Sequence, residues 1–482
     1  MLHTKTVAML LVLLGLVLII ALAYYSAIGV AYRAVLAIIL MIAIGMAIKK
    51  MLKLHGSYGF YMIGSKSGIS TIDKISKKYP KFWEGMATWG LTVGFGVLSY
   101  FILKGKIDKR VYALGIASTA IIYLFVLPYA MVGLSFINVP ILQNQISAHS
   151  SQPVNMLYIY IIIAAIAISG FAGYVMLALS YRALQIIYQV GVILYNMISG
   201  VALTSSVHGL GNLISGVFLI PGIDMPLIAG LASLAILLIV HEFSHGILAR
   251  IFKVKLKSIG MLVFGVVPLG AFVEPDDKMI KKLSPEKQTK IFSAGISSNL
   301  VAMLLFFVLF SGTSGIMQSA IKYAVVILGT SAGYPANGII APGTIIYKWD
   351  GHTVNSAATL ESAAINDKPG KVVTLVTNKG TYNVTAIADP TNSSRGLIGV
   401  DIGVKPEINT PLSKTLYFLY MLFALSLMLN FLVAVVNLLP IPGFDGWQVL
   451  NANIKRKSIL KAFTIVVTII FIINFIPLAA LL

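Results

Sequence analysis

The chain has 482 residues, 58% of them hydrophobic and only 11% charged, with 36 Lys and Arg against 16 Asp and Glu, a net charge of +20 and no cysteine. This composition excludes an ordinary soluble globular protein and points to a polytopic membrane protein whose main solvent is the bilayer. The lack of cysteine excludes disulfides, thiolate metal sites and cysteine nucleophiles, and the basic residues lie in short clusters beside apolar runs, as in loops facing anionic lipid, which argues against nucleic acid as a partner.

Apolar windows of spanning length fall at about 7–25, 28–47, 86–103, 111–134, 157–179 and 184–203, then at about 227–252, 290–311, 414–439 and 458–482, predicting about ten spans. The first is longer than a signal-peptide core and lacks a small-residue cleavage site, so it is expected to be retained. The Lys-rich loop 48–83 conflicts with simple alternation under the positive-inside rule. Either one early window does not cross, or a segment such as 55–64 re-enters the membrane. The stretch 212–226 is apolar but short and broken by Gly and Pro, which suits a re-entrant or interfacial segment.

The window at 227–252 carries His241, Glu242, Phe243, Ser244 and His245 inside an otherwise apolar run. Two imidazoles four residues apart on a helix project from one face and can hold one zinc ion, with Glu242 aimed at the reacting water as general base. Each charge at membrane depth costs roughly 2.5–3.5 kcal/mol, so polar groups there call for a compensating partner such as a metal. Arg250, Lys253, Lys255 and Lys257, the run Lys278–Lys290 and then Lys455–Lys461 mark the cytoplasmic side. About fourteen apolar residues precede His241, which sets the metal roughly 20 Å from the outer end and toward the cytoplasmic face.

Residues 258–274 form an apolar β-like stretch that either offers an edge to an extended peptide or merely completes a membrane-buried hairpin. Asn299, on the span 290–311, either supports the metal ligands from behind or bonds to a neighbouring helix, with packing the favoured role, and Glu274 is expected to be a loop residue closing the β-like stretch. His208 is expected to be structural and His352 an exposed turn residue. Residues 312–413 differ from the rest. They carry charges of both signs, alternating runs at 371–377 and 382–387, and Asn378-Lys379-Gly380 as a hairpin turn, so a small soluble β-rich domain is expected there, outside the cytoplasm. Two glycosylation sequons, at Asn383 and Asn392, agree with that side.

Two histidines leave zinc one ligand short of the usual three plus water. Asp445 lies in a segment, 437–450, where two prolines and two glycines break the helix that starts near 414. It is either a carboxylate in need of a cation or a turn residue just outside the bilayer. The pentad His241–His245, followed some two hundred residues later by Asn437-Leu438-Leu439-Pro440-Ile441-Pro442-Gly443-Phe444-Asp445-Gly446, resembles the paired signature of the site-2 protease family of intramembrane zinc metalloproteases. The resemblance covers about residues 205–482, extends to 258–276 and to 293–299 (SAGISSN), and includes a stretch, 331–354, that resembles an inserted PDZ domain. It implies that His241, His245 and Asp445 bind one catalytic Zn2+, that Glu242 is the general base, and that Asn437 holds the substrate backbone. Ile296 and Trp447 depart from the family pattern, which often has Pro and Gly there.

The expected fold is therefore a polytopic α-helical membrane protein with a membrane-associated β-like stretch and one PDZ-like extracytoplasmic domain. Its parts are an N-terminal multispanning region (1–205), two catalytic membrane halves (206–311 and 414–482) and the PDZ-like insert (312–413). The expected activity is zinc-dependent intramembrane endopeptidase, with a membrane-anchored protein as substrate, the lipid bilayer as surroundings and a peptide as a candidate ligand of the PDZ-like domain. A transmembrane metal or ion transporter using the same His and Asp residues is the alternative. A non-catalytic membrane scaffold, or another zinc protease family with Glu or His as third ligand, is less favoured by the complete ligand set.

Overall fold

The computed structural model describes residues 30–103, 108–137, 156–200 and 225–477, with scattered positions among 7–21 and 209–222. About half of the window 7–25, most of the stretch 212–226, and His208 lie outside the described residues. The chain divides into two compact units, Met1–Val308 with Met421–Leu482, and Leu309–Tyr420.

The first unit opens with helix α1 (Val30–Leu52), the strands β1 (His55–Ser57) and β2 (Phe60–Ser65), and helices α2 (Ile69–Lys78), α3 (Pro80–Phe95), α4 (Lys109–Ile121) and α5 (Met156–Ile198). Helix α6 (Leu227–Ile251), strands β3 (Leu256–Phe264) and β4 (Val267–Pro275), helix α7 (Pro285–Phe292) and helix α8 (Ala294–Ala320) follow. Among the described residues seven helices are long and apolar enough to cross a membrane. The count differs from the sequence expectation for definite reasons. The windows 157–179 and 184–203 do not divide at 180–183: α5 is two helical stretches that meet at Gly170, inside the first window, whose φ of 61° and ψ of −158° interrupt the helix and are readily adopted only by glycine. In the window 458–482 the described residues form a 17-residue helix, Lys457–Ile473.

The segment 55–64 forms a hairpin that joins the sheet, whose strand order is β1-β2-β3-β4. Residues 258–274 form the antiparallel β3–β4 hairpin, as expected. β3 is paired on both sides, so among the described residues β4 is the edge strand on this side of the sheet. Glu274 lies within β4 rather than in a loop, its Oε2 accepting from Ser258 Oγ at 2.8 Å.

Helix α3 begins with Pro80 in its first turn, where the missing N–H costs nothing, and packs against the start of α8. Ser293 and Ser297 donate to the Ala87 carbonyl at 3.4 and 3.3 Å, and Lys290 pairs with Glu84 at 3.1 Å. A Cβ on Gly90 would lie 2.2 Å from Ser297 Oγ and 2.5 Å from its Cα, so the two backbones meet where no side chain fits. Gly90→Val is expected to cost about 1–3 kcal/mol through overpacking, read as a lowered unfolding midpoint of the purified chain.

The second unit carries strands β5 (Tyr323–Thr330), β6 (Ile345–Trp349) and β7 (His352–Thr353), helix α9 (Ala357–Ala364), and strands β8 (Val372–Thr377), β9 (Gly380–Thr385), β10 (Ile387–Asp389), β11 (Asn392–Leu397) and β12 (Val400–Pro406). The order β12-β5-β6-β8-β9 makes an antiparallel sheet, with β7 on β6. Alternation in 371–377 puts Val373 and Leu375 in a core with Val325, Ile327, Ile346 and Trp349. The β8–β9 turn closes with Thr377 opposite Gly380. His352 is exposed, in the short strand β7.

An ion cluster supports that core: Lys371 Nζ lies 2.6 Å from both Asp350 Oδ2 and Asp367 Oδ1, and Trp349 Nε1 donates to Asp367 Oδ2 at 2.8 Å. Burial pushes the Asp350 carboxyl up, but Lys371 and the Thr374 N–H outweigh it and hold it below the usual aspartate range. A depressed folded-state value means that this contribution is fully present above the ordinary aspartate pKa and is lost as the pH falls through the folded one. The second unit is therefore expected to lose stability below about pH 4. Asp367→Ala, which orphans the buried Trp349 N–H, is expected to cost about 1–3 kcal/mol at neutral pH. Trp349 fluorescence during denaturation measures both.

The chain closes with α10 (Pro411–Val436), α11 (Asp445–Asn453) and α12 (Lys457–Ile473). The break between α10 and α11 falls at the predicted Pro-Gly segment.

Candidate metal centre

Helix α6 is apolar along nearly its whole length, and its only polar cluster before the C-terminal turn is the pentad. The i, i+4 spacing puts His241 and His245 on one face, with ring centroids 5.0 Å apart. Asp445 opens α11, on a segment far away in sequence. It is held close by the turn after α10, in which the Gly446 N–H donates to the Asn437 carbonyl at 2.6 Å.

The two Nε2 atoms are 3.3 Å apart, and Asp445 Oδ2 is 3.4 Å from that of His241 and 3.3 Å from that of His245. A tetrahedral zinc ion with ligands at about 2.0–2.1 Å needs ligand atoms about 3.3–3.4 Å apart, so the triangle has the right size. The donor set also fits. His245 Nδ1 lies 2.7 Å from the Ile291 carbonyl, which can only accept; the ring hydrogen is therefore on Nδ1 and Nε2 presents a lone pair. Asp445 Oδ2 is buried without a hydrogen-bond donor. Lone pairs that converge with no proton between them are stable only around a cation. Among the described residues these three are the one group of His, Asp or Glu side chains able to share a metal ion.

Glu242 points to the neighbouring sheet, where its Oε2 accepts from the Val273 N–H of β4 at 3.2 Å. That N–H points away from β3, so the open edge of β4 faces the carboxylate. Asn437 lies just beyond the end of α10, and its Nδ2 donates to the Val433 carbonyl at 3.0 Å.

Residues 229–481, slightly more than half of the chain, match Peptidase family M50. The chain belongs to this family. An uncharacterized protein of Methanocaldococcus jannaschii is 35% identical to it over 233 residues, which are 47% of this chain and 58% of the relative. The chain thus matches less than two thirds of that relative's length. The matched region carries the candidate metal ligands, and helices in it are long and apolar enough to cross a membrane.

Several groups around this M50 centre are not evident as such from sequence. Asn299 takes the less favoured of its two expected roles: it is fully buried, 3.1 Å from His241 Nδ1. The Ile291 carbonyl holds His245, and Gly295 lies directly against both imidazoles. A backbone carbonyl leaves no mark in a sequence. SAGISSN carries a signal, since five small residues followed by Asn299 at the start of a spanning helix mark a close or polar contact, but not which contact.

Proposed function

We propose that this chain is a zinc-dependent intramembrane endopeptidase that hydrolyses peptide bonds in or near the transmembrane segments of membrane-anchored proteins. The observation that carries the reading is the triangle of His241, His245 and Asp445 with Glu242 beside it, on a helix long and apolar enough to span the bilayer. His241, His245 and Asp445 would hold one zinc ion. Zinc, when bound, supplies a Lewis acid that polarises the scissile carbonyl and makes a water molecule acidic near neutral pH. Glu242 takes the proton of that water as its oxygen attacks the carbonyl carbon, then delivers it to the amide nitrogen as the C–N bond breaks. The Val273 N–H keeps the carboxylate in place.

A substrate helix has its carbonyls tied up in its own hydrogen bonds and must unwind before attack. The open edge of β4 beside Glu242 is suited to receive such an extended segment, Ala271 facing the same way as Val273 by the two-residue period. Asn437 spends its Nδ2 on Val433, leaving Oδ1 to accept a substrate N–H. In this reading the active site lies toward the cytoplasmic side and the PDZ-like unit outside. There the unit filters substrates by size or takes a peptide along β12, one of the two edge strands of its sheet.

The test is cleavage of a single-span protein by the purified chain in vesicles supplied with zinc. Product masses are expected to locate the cut within or beside the apolar span, and a zinc chelator to stop it. Cleavage indifferent to chelation, or confined to soluble segments, would overturn the reading.

A further inference from the structure

Resting on the metal-centre reading, we propose that Asn299 is a positioning residue for zinc, its amide oxygen fixing which nitrogen of His241 faces the ion, and that Gly295 is a glycine because a side chain there would occupy the ligand atoms. Neither residue contributes a metal ligand; both act through His241 and His245.

The case for Asn299 rests on hydrogen-bond bookkeeping. His241 Nε2 belongs to the ligand triangle, so the hydrogen of the neutral ring must be on Nδ1, and a buried Nδ1–H needs an acceptor. The neighbour of Nδ1 is the amide of Asn299, at 3.1 Å, in a residue with no exposed surface. With Nδ2 turned to the ring, Asn299 Oδ1 is buried and unpartnered, and the ring would have to accept at Nδ1 and carry its hydrogen on Nε2, facing Asp445 and His245. Half a turn of the amide about its Cβ–Cγ bond removes both faults: Oδ1 accepts from Nδ1–H, and Nε2 presents its lone pair. His245 is already held in the equivalent way by the Ile291 carbonyl. Both rings are thus oriented from one short segment, 291–299, each through Nδ1.

Gly295 lies between these two supports. A Cβ there would be 2.4 Å from His241 Nε2 and 2.5 Å from His245 Nε2, closer than real Cβ contacts come. The atoms it would meet are the ends of rings already held at Nδ1, so they cannot yield without leaving the triangle. Ser293 and Ser297, on either side of Gly295, are tied to the Ala87 carbonyl of α3, which keeps the segment from backing away.

The experiment is zinc and cobalt(II) affinity of the purified full chain in detergent, measured by competition with a chromophoric chelator, with the visible cobalt bands as a second readout. Asn299→Asp keeps an acceptor and is expected to bind near wild-type levels with tetrahedral cobalt bands. Asn299→Leu, similar in size but without an acceptor, is expected to bind about 10–100-fold more weakly with altered bands, and Gly295→Ala more weakly still. Equal affinity and unchanged bands in Asn299→Leu would overturn the role of Asn299, and wild-type affinity in Gly295→Ala that of Gly295. If Asn299→Leu does not fold, the pair Asn299→Asp and Asn299→Ser decides, since a serine hydroxyl is too short to reach the ring: equal affinities overturn the proposal and a weaker Ser variant supports it. Asp445→Ala keeps the two readings apart. If the wild-type chain binds no metal, or binds it as well without Asp445, the metal centre itself is wrong; if only the Asn299 and Gly295 series is flat, this inference alone falls.

Discussion

Glu242→Gln is expected to bind zinc as the wild-type chain does and to lose cleavage by about 10²–10⁴-fold, the range attached to a positioned general base. The amide has nearly the shape of the carboxylate and can still meet the Val273 N–H through its oxygen, so the helix and the triangle should be undisturbed. What it lacks is the capacity to take a proton from water and return it to the leaving amine. Metal content and product formation, measured on the same preparation, separate these roles. Full activity in the variant would sink the assignment of Glu242. Zinc flux through vesicles that survived the substitution would instead favour the transport reading of the same ligands.

Asp445→Ala is expected to empty the metal centre. It removes the one ligand that does not come from α6 and leaves two imidazoles on a single helix face, short of the three protein ligands that a catalytic zinc site keeps. The loss in affinity should exceed the roughly 10–100-fold that removal of an orienting partner costs, because a ligand and its negative charge both go. In the metal-free chain the effect on folding should be small or favourable, since the variant deletes a buried carboxylate oxygen that has no donor. Zinc should accordingly raise the unfolding midpoint of the wild-type chain and not that of the variant. A variant that still takes up one zinc per chain would mean that a ligand other than Asp445 completes the set.

Much of this protein is legible in its sequence because a few strong physical rules act on neighbouring residues. A 25-residue apolar run with His241 and His245 four apart already determines a helix, its one-sided pair of imidazoles and the oddity of their surroundings. Two prolines and two glycines determine that the helix before Asp445 must break. Alternation in 371–377 determines a strand with one buried face. The span count was less legible, because hydropathy measures how apolar a window is and not whether a turn divides it. The helix runs unbroken through 180–183, where the two windows of α5 are expected to part, and is interrupted instead at Gly170, inside the first of them.

Relations between distant segments were decided only in three dimensions. The segment 55–65 joins β3 by backbone hydrogen bonds that any residues could make, and in doing so leaves β4 as the edge facing Glu242. Sequence leaves the role of Asn299 open between packing and support of the metal site because its partner, His241, is 58 residues away and on another helix. The sequence by itself determined which side chains can carry the chemistry, since residue type and local spacing set proton transfer and ligation. Tertiary structure decided which backbone carbonyls, amides and missing side chains hold them 3.3–3.4 Å apart, since those depend on where distant backbones meet.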